Sequence, residues 1–199
     1  MMLLAAAAFV LSTSSVFAQA QCLQSTTWRG STGSWFTPAN WTNGVPSSIT
    51  QASINNGGTA QINNANLIAN ACTLTLGQNA GNSGTVLLDA SAGGGTLNVA
   101  DFVIVGSSGS GTLQYNVIPA ASGTVNARTA TLGTHSNLKV VLTGTFTPGA
   151  RYTLLTADHG VSGTFANVTI VRPPPPPCYN PQIHYDANHV YLDLVVCSD

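Results

Sequence analysis

The sequence predicts an all-β chain wound as a short β-solenoid, and three observations lead there. The first is composition. Only 6% of the 199 residues are charged, with 5 Lys or Arg, 6 Asp and no Glu, against about 25% in an ordinary soluble domain. Gly (20), Ser (18), Thr (24) and Asn (17) are abundant while 44% of the chain stays apolar. Such a chain can build a core from strands and tight turns, whereas helices want Glu, Lys and Leu. The second observation is repetition: Gly95-Thr96-Leu97-Asn98-Val99-Ala100 returns 28 residues later as Gly123-Thr124-Val125-Asn126-Ala127-Arg128. The third is a set of glycines closing apolar steps, Leu76-Gly77, Val105-Gly106 and Leu132-Gly133, spaced 29 and then 27 residues apart. A unit of about 28 residues made of short strands cannot bury its own apolar face. Stacking successive coils, with strands about 4.8 Å apart, solves this. Three to five coils fit the length. An antiparallel β-sandwich shares the composition but has no reason to repeat every 28 residues.

The elements follow in order. Residues 1–20 read as a secretory signal peptide, with an apolar stretch from Leu3 to Val10 and an A-x-A cleavage site at Ala18-Gln19-Ala20. The apolar run is too short for a transmembrane helix. Next comes a tryptophan zone holding all three tryptophans, Trp28, Trp35 and Trp41. From residue 48 to 146, strands of four to six residues are expected at Ala60 to Ile62, Thr73 to Leu76, Thr85 to Leu88, Thr96 to Val99, Phe102 to Val105, Thr112 to Tyr115 and Leu138 to Leu142. No stretch carries helical spacing of apolar residues. Residues 147–199, with the Pro173 to Pro177 run, are expected to cap the 21–146 solenoid, the prolines forming a stiff spacer.

The residues Trp28, Gly33-Ser34-Trp35, Asn40-Trp41 and Gly44-Val45-Pro46, then Ala52-Ser53-Ile54 and the Leu-Gly repeats, resemble the passenger regions of bacterial autotransporters. Thr145 to Ala157, Gly160 to Phe165 and Tyr185 to Leu192 are similar to the segment that joins passenger to translocator in that family. The resemblance implies a right-handed parallel β-helix and a non-enzymatic exported protein, at the cell surface, associated with the outer membrane or extracellular. The family's C-terminal membrane barrel does not follow in this sequence, so the resemblance leaves three forms open: a truncated passenger, a split passenger with a separate translocator barrel as partner, or a freestanding exported solenoid.

Charge narrows the other partners. A formal net charge of -1 with a single lysine offers no basic stripe for nucleic acid and no polybasic patch for a membrane surface, and this chain is not expected to insert into a membrane itself. No cofactor is expected. A polysaccharide-cleaving β-helix would need clustered acids and bases, yet the middle zone has only Asp89 and Asp101, out of step with the 28-residue period. Gly106 to Thr112 imitates a phosphate loop without its lysine, so a glycine turn is the better reading. His184, Asp186 and His189 project from one face of an expected hairpin, a spacing zinc could use, but a solvated hairpin face explains the same pattern and no metal is expected. Trp28, Trp35 and Trp41 have two readings: a platform stacking on surface glycans of a host or cell, as in an adhesin, or a cover for the first coil's open core.

Four cysteines in an exported chain, Cys22, Cys72, Cys178 and Cys197, point to disulfides and allow three pairings. Hairpin arithmetic selects one. With Ala187-Asn188 as a two-residue turn, Tyr185 faces Val190, Ile183 faces Leu192, Pro181 faces Leu194 and Tyr179 faces Val196, giving one apolar face and one polar face. Carried one step outward, Cys178 faces Cys197 within disulfide reach. Cys22 and Cys72 remain to pair with each other.

Overall fold

The structure, a computed structural model, describes residues 21–172 and 178–197. The expected signal peptide and the polyproline run lie outside the described residues. What is described is a β-solenoid of parallel stacked strands, numbered below in chain order. One sheet runs β1 (Gln24–Thr27), β3 (Thr50–Ile54), β6 (Thr73–Leu76), β8 (Thr96–Val105), β10 (Thr124–Leu132) and β12 (Arg151–Ala157). The other runs β2 (Thr32–Ser34), β4 (Thr59–Ile62), β7 (Ser83–Asp89), β9 (Ser110–Val117), β11 (Ser136–Leu142) and β14 (Asn167–Val171). The chain alternates between the two, so the five steps from β1 to β12 are about five turns.

Strands β8 and β10 each serve two neighbours. The first half of β8 pairs with β5 (Ala69–Ala71) and its second half with β6. Likewise β10 pairs with β12 over Val125 to Ala127 and with β13 (Val161–Ser162) over Ala130 and Thr131. The β8–β10 register slips between Ala127 and Thr129, as a bulge does when it bends a strand. The central coils therefore have three straight sides, with a corner through Cys72, Asp101 and Arg128.

Each side carries its own column of inward side chains, because residues of like parity in the strand alternation fall in register from coil to coil. Ile54, Leu76, Val105 and Leu132 make one column. Ala69, Leu97, Val125 and Leu155 make the second, and Ile62, Leu88, Tyr115 and Val140 the third. All twelve are buried. The Tyr115 hydroxyl crosses the core to donate to Leu154 O at 2.8 Å, and burial pushes its phenol far up.

The glycine steps are corners. Gly77 and Gly106 adopt the left-handed conformation, with φ of 62° and 65°, and Gly106 N–H donates to Leu76 O at 2.8 Å, tying one corner to the coil below. A Cβ on Gly106 would land on the backbone of His135 in the coil above. Gly106→Ala should therefore combine left-handed strain with overpacking, together about 3 kcal/mol. A thermal melt checks this; an unchanged midpoint would mean that the corner is not close-packed. Of the segment 106–112, residues 107–109 form the bend that leads from β8 into β9, and Ser110 to Thr112 already belong to β9.

The two ends close differently. At the start, the backbone around Trp41 runs antiparallel beside β1, with Arg29 N–H donating to Asn40 O at 2.8 Å and Thr42 N–H to Thr27 O at 2.9 Å. At the finish, β16 (His189–Val196) pairs antiparallel with β12 and carries β15 (Tyr179–Tyr185) on its outer edge, where Pro181 interrupts further pairing. The hairpin register is the one expected, from Tyr185 opposite Val190 to Tyr179 opposite Val196. Val190, Leu192, Leu194 and Tyr179 are buried, while Val196 at the open end is 60% exposed. Parallel stacking runs one coil past residue 146, because β12 and β14 repeat the registers of β10 and β11.

Candidate functional site

The tryptophans close the core and do not face solvent. Trp28, Trp35 and Trp41 are 1%, 0% and 1% exposed. Their rings meet edge to face, 5.0 Å between the centroids of Trp28 and Trp41 and 4.8 Å between Trp35 and Trp41. Trp41 Nε1 donates to Trp35 O at 2.8 Å. A ring buried this completely has no free face for a sugar, so the glycan-platform reading of these three residues is corrected: they are the cover of the first coil. The short β1 and β2 leave the core open on that side, and three large rings fill it.

Cys22 and Cys72 are joined in a disulfide, with Cα atoms 5.5 Å apart and a sequence separation of 50. The bridge ties the chain just before β1 to the corner between β5 and β6. Cys178 and Cys197 stand at the expected facing positions, Cys197 N–H reaching Cys178 O at 3.4 Å, but both are exposed thiols. The expected Cys178–Cys197 bridge is thereby corrected. This pair lies beyond Tyr179 and Leu194, the last residues of the hairpin held by the core, and contact with Cys178 raises the Cys197 thiol above its ordinary value.

His184, Asp186 and His189 do not converge. His189 Nδ1 sits 2.9 Å from Asp186 Oδ1, while His184 stacks on Tyr191 with centroids 6.4 Å apart. Among the described residues no three metal-ligating side chains share a point. The cluster is instead a mesh around Tyr191: its hydroxyl donates to Asp186 Oδ2 at 3.1 Å, and Arg151, paired with both Asp193 oxygens at 2.6 and 2.7 Å, lies 4.5 Å over its ring. Asp186 also closes the hairpin turn. The backbone N–H of Asn188 above all, then the His189 ring, the Tyr191 hydroxyl and the His189 N–H, hold its carboxyl down at about 2 against partial desolvation. Its folded value thus lies below the ordinary carboxylate value. What it adds to the hairpin should be complete above that value and fade as pH falls through about 2. Carboxyl-detected titration is expected to find that midpoint for Asp186; a midpoint near 3.8 would contradict the contacts.

Asp89 and Asp101 serve different corners. Asp89 accepts from the N–H of Ser91 at 3.1 Å and caps the short 3-10 turn at Ala90–Ala92. Asp101 is buried and pairs with Arg128 at 3.2 Å. The arrangement ties β8 to β10 where both strands bend.

That same bend opens a groove of about 590 Å³ on the outer surface. Along it run Asn70, Asn98, Asn126 and Thr156, in register on four successive strands. Asn126 Nδ2 donates to Asn98 Oδ1 at 3.0 Å across 28 residues of sequence, and Asn70 Nδ2 donates to Ile68 O at 3.0 Å. Ser48 bounds the groove at one end, Asp158 and His159 at the other, with Arg128 along its side. Sequence reasoning missed this row, although its signal was present: Asn98 and Asn126 hold the same place in the two copies of the repeat, and Asn70 lies one further period back.

Compared with known proteins, the chain matches no family model and no curated protein in sequence.

Proposed function

We propose that the protein is a non-enzymatic structural solenoid, exported from the cell and held at its surface or released outside it, in the manner of the autotransporter passengers its sequence resembles. The observation that carries the reading is the Cys22–Cys72 bridge, which clamps the start of the mature chain to a corner two strands further along the same sheet. Disulfides of this structural kind belong to oxidising compartments outside the cytoplasm. The A-x-A site at Ala18-Gln19-Ala20 stands just before the bridged Cys22 and supplies the route.

The surface chemistry supports a structural role. Outward positions carry rows of hydroxyls and amides, such as Thr32, Thr59, Thr85 and Thr112 on the second sheet. The aspartates of the middle zone are engaged in a turn cap and an ion pair. Cell fractionation with surface labelling tests the reading. The protein should be found in the outer-membrane or extracellular fraction and take up an impermeant label, and deletion of residues 1–20 should trap it inside. Cytoplasmic protein that keeps residues 1–20 would overturn the reading.

A further inference from the structure

We propose that the groove along Asn70, Asn98 and Asn126 is a binding site for an uncharged polyhydroxylated chain, a neutral oligosaccharide lying along the solenoid axis. A primary amide is both donor and acceptor, as is a hydroxyl, so a row of amides matches a row of hydroxyls in both senses. Phosphate and carboxylate ligands ask for donors alone. The bonds within the row use only part of its capacity. Among the described residues, Asn98 Nδ2, Asn126 Oδ1 and Asn70 Oδ1 have no partner, and all three side chains are half-buried and in register.

Charge excludes the competing ligand classes. Among the described residues, Arg128 is the one Lys or Arg lining the groove and lies against Asp101 at 3.2 Å, and Asp158 adds a carboxylate beside His159 at the far end. An anionic polymer would meet no free positive field, whereas a neutral one suits a site whose charges are already matched. The shape agrees. Ala71, Val99 and Ala127 turn their side chains into the core, so backbone and the exposed Ala100 lie between and beside the amides, and the groove's volume lies in the range of small-molecule sites. Because the row crosses the strands at about 4.8 Å per coil, a linear ligand along the axis meets a fresh amide at each step. The binding site thus comes from the same repetition that builds the core, and it stands independently of where the protein resides.

The test is calorimetric titration of the purified protein with cellohexaose, chitohexaose and mannohexaose, and with hexagalacturonate for comparison. At least one neutral hexamer should bind, more tightly than hexagalacturonate. Asn98→Asp keeps the oxygen that Asn126 Nδ2 uses and removes the donor that faces the groove, so it should weaken binding at least tenfold with the melting temperature unchanged. Asn126→Ala should weaken binding to a similar degree, and Thr131→Ala on the neighbouring side should leave binding unchanged. Failure of all three neutral hexamers to bind, tighter binding of hexagalacturonate, or undiminished binding by folded Asn98→Asp would each overturn the proposal.

Discussion

Ending the chain at Thr145 should abolish cooperative folding of what remains. The segment removed carries Leu154, Leu155, Val190, Leu192 and Leu194, all at most 1% exposed. At about 1.5–3 kcal/mol for each buried side chain, their loss amounts to about 10 kcal/mol, the size of a whole domain's stability. The cut also strips β10 and β11 of β12 and β14 and leaves the Tyr115 hydroxyl without Leu154 O inside the core. Such a variant should be poorly soluble and show a broad thermal transition by circular dichroism. If it melts as sharply as the whole protein, and at the same temperature, the last coil and its hairpin do not cap the stack.

The opposite end makes the second demand. Trp35→Ala removes a fully buried ring that packs edge to face on Trp41 and should cost about 3–5 kcal/mol. For a domain of this size that is roughly a 10 °C fall in melting temperature. The gentler substitutions separate packing from hydrogen bonding. Trp41→Phe deprives Trp35 O of its donor, whereas Nε1 of Trp35 has no partner among the described residues, so Trp35→Phe should be the milder of the two. An unchanged melting temperature in Trp35→Ala would refute the cover.

Core and register were legible in the sequence for one physical reason: a solenoid turns local alternation into long-range pairing. The copies at Gly95 and Gly123 are the strand starts at Thr96 and Thr124, which lie side by side. The hairpin was legible because a two-residue turn at Ala187-Asn188 fixes every pair behind it, and the facing residues are those the arithmetic required. Where the sequence misled, it was silent about solvent. Tryptophans that cover an open core and tryptophans that stack on sugar look alike until burial is known. Cys178 and Cys197 were placed opposite each other correctly, but register brings thiols together without bonding them. The asparagine row was overlooked because its members are a full coil apart. Only the bend at Asp101 and Arg128, which composition does not announce, makes a groove of the surface they share.

The measurement that bears most directly on an exported, bridged solenoid is the intact mass and non-reducing peptide map of the protein recovered from its own cells. The chain should begin at Gln21, with a peptide joining Cys22 to Cys72 that separates on reduction. A chain that retains residues 1–20 with Cys22 and Cys72 as thiols, or a map joining Cys22 to Cys178 or Cys72 to Cys197, would contradict it.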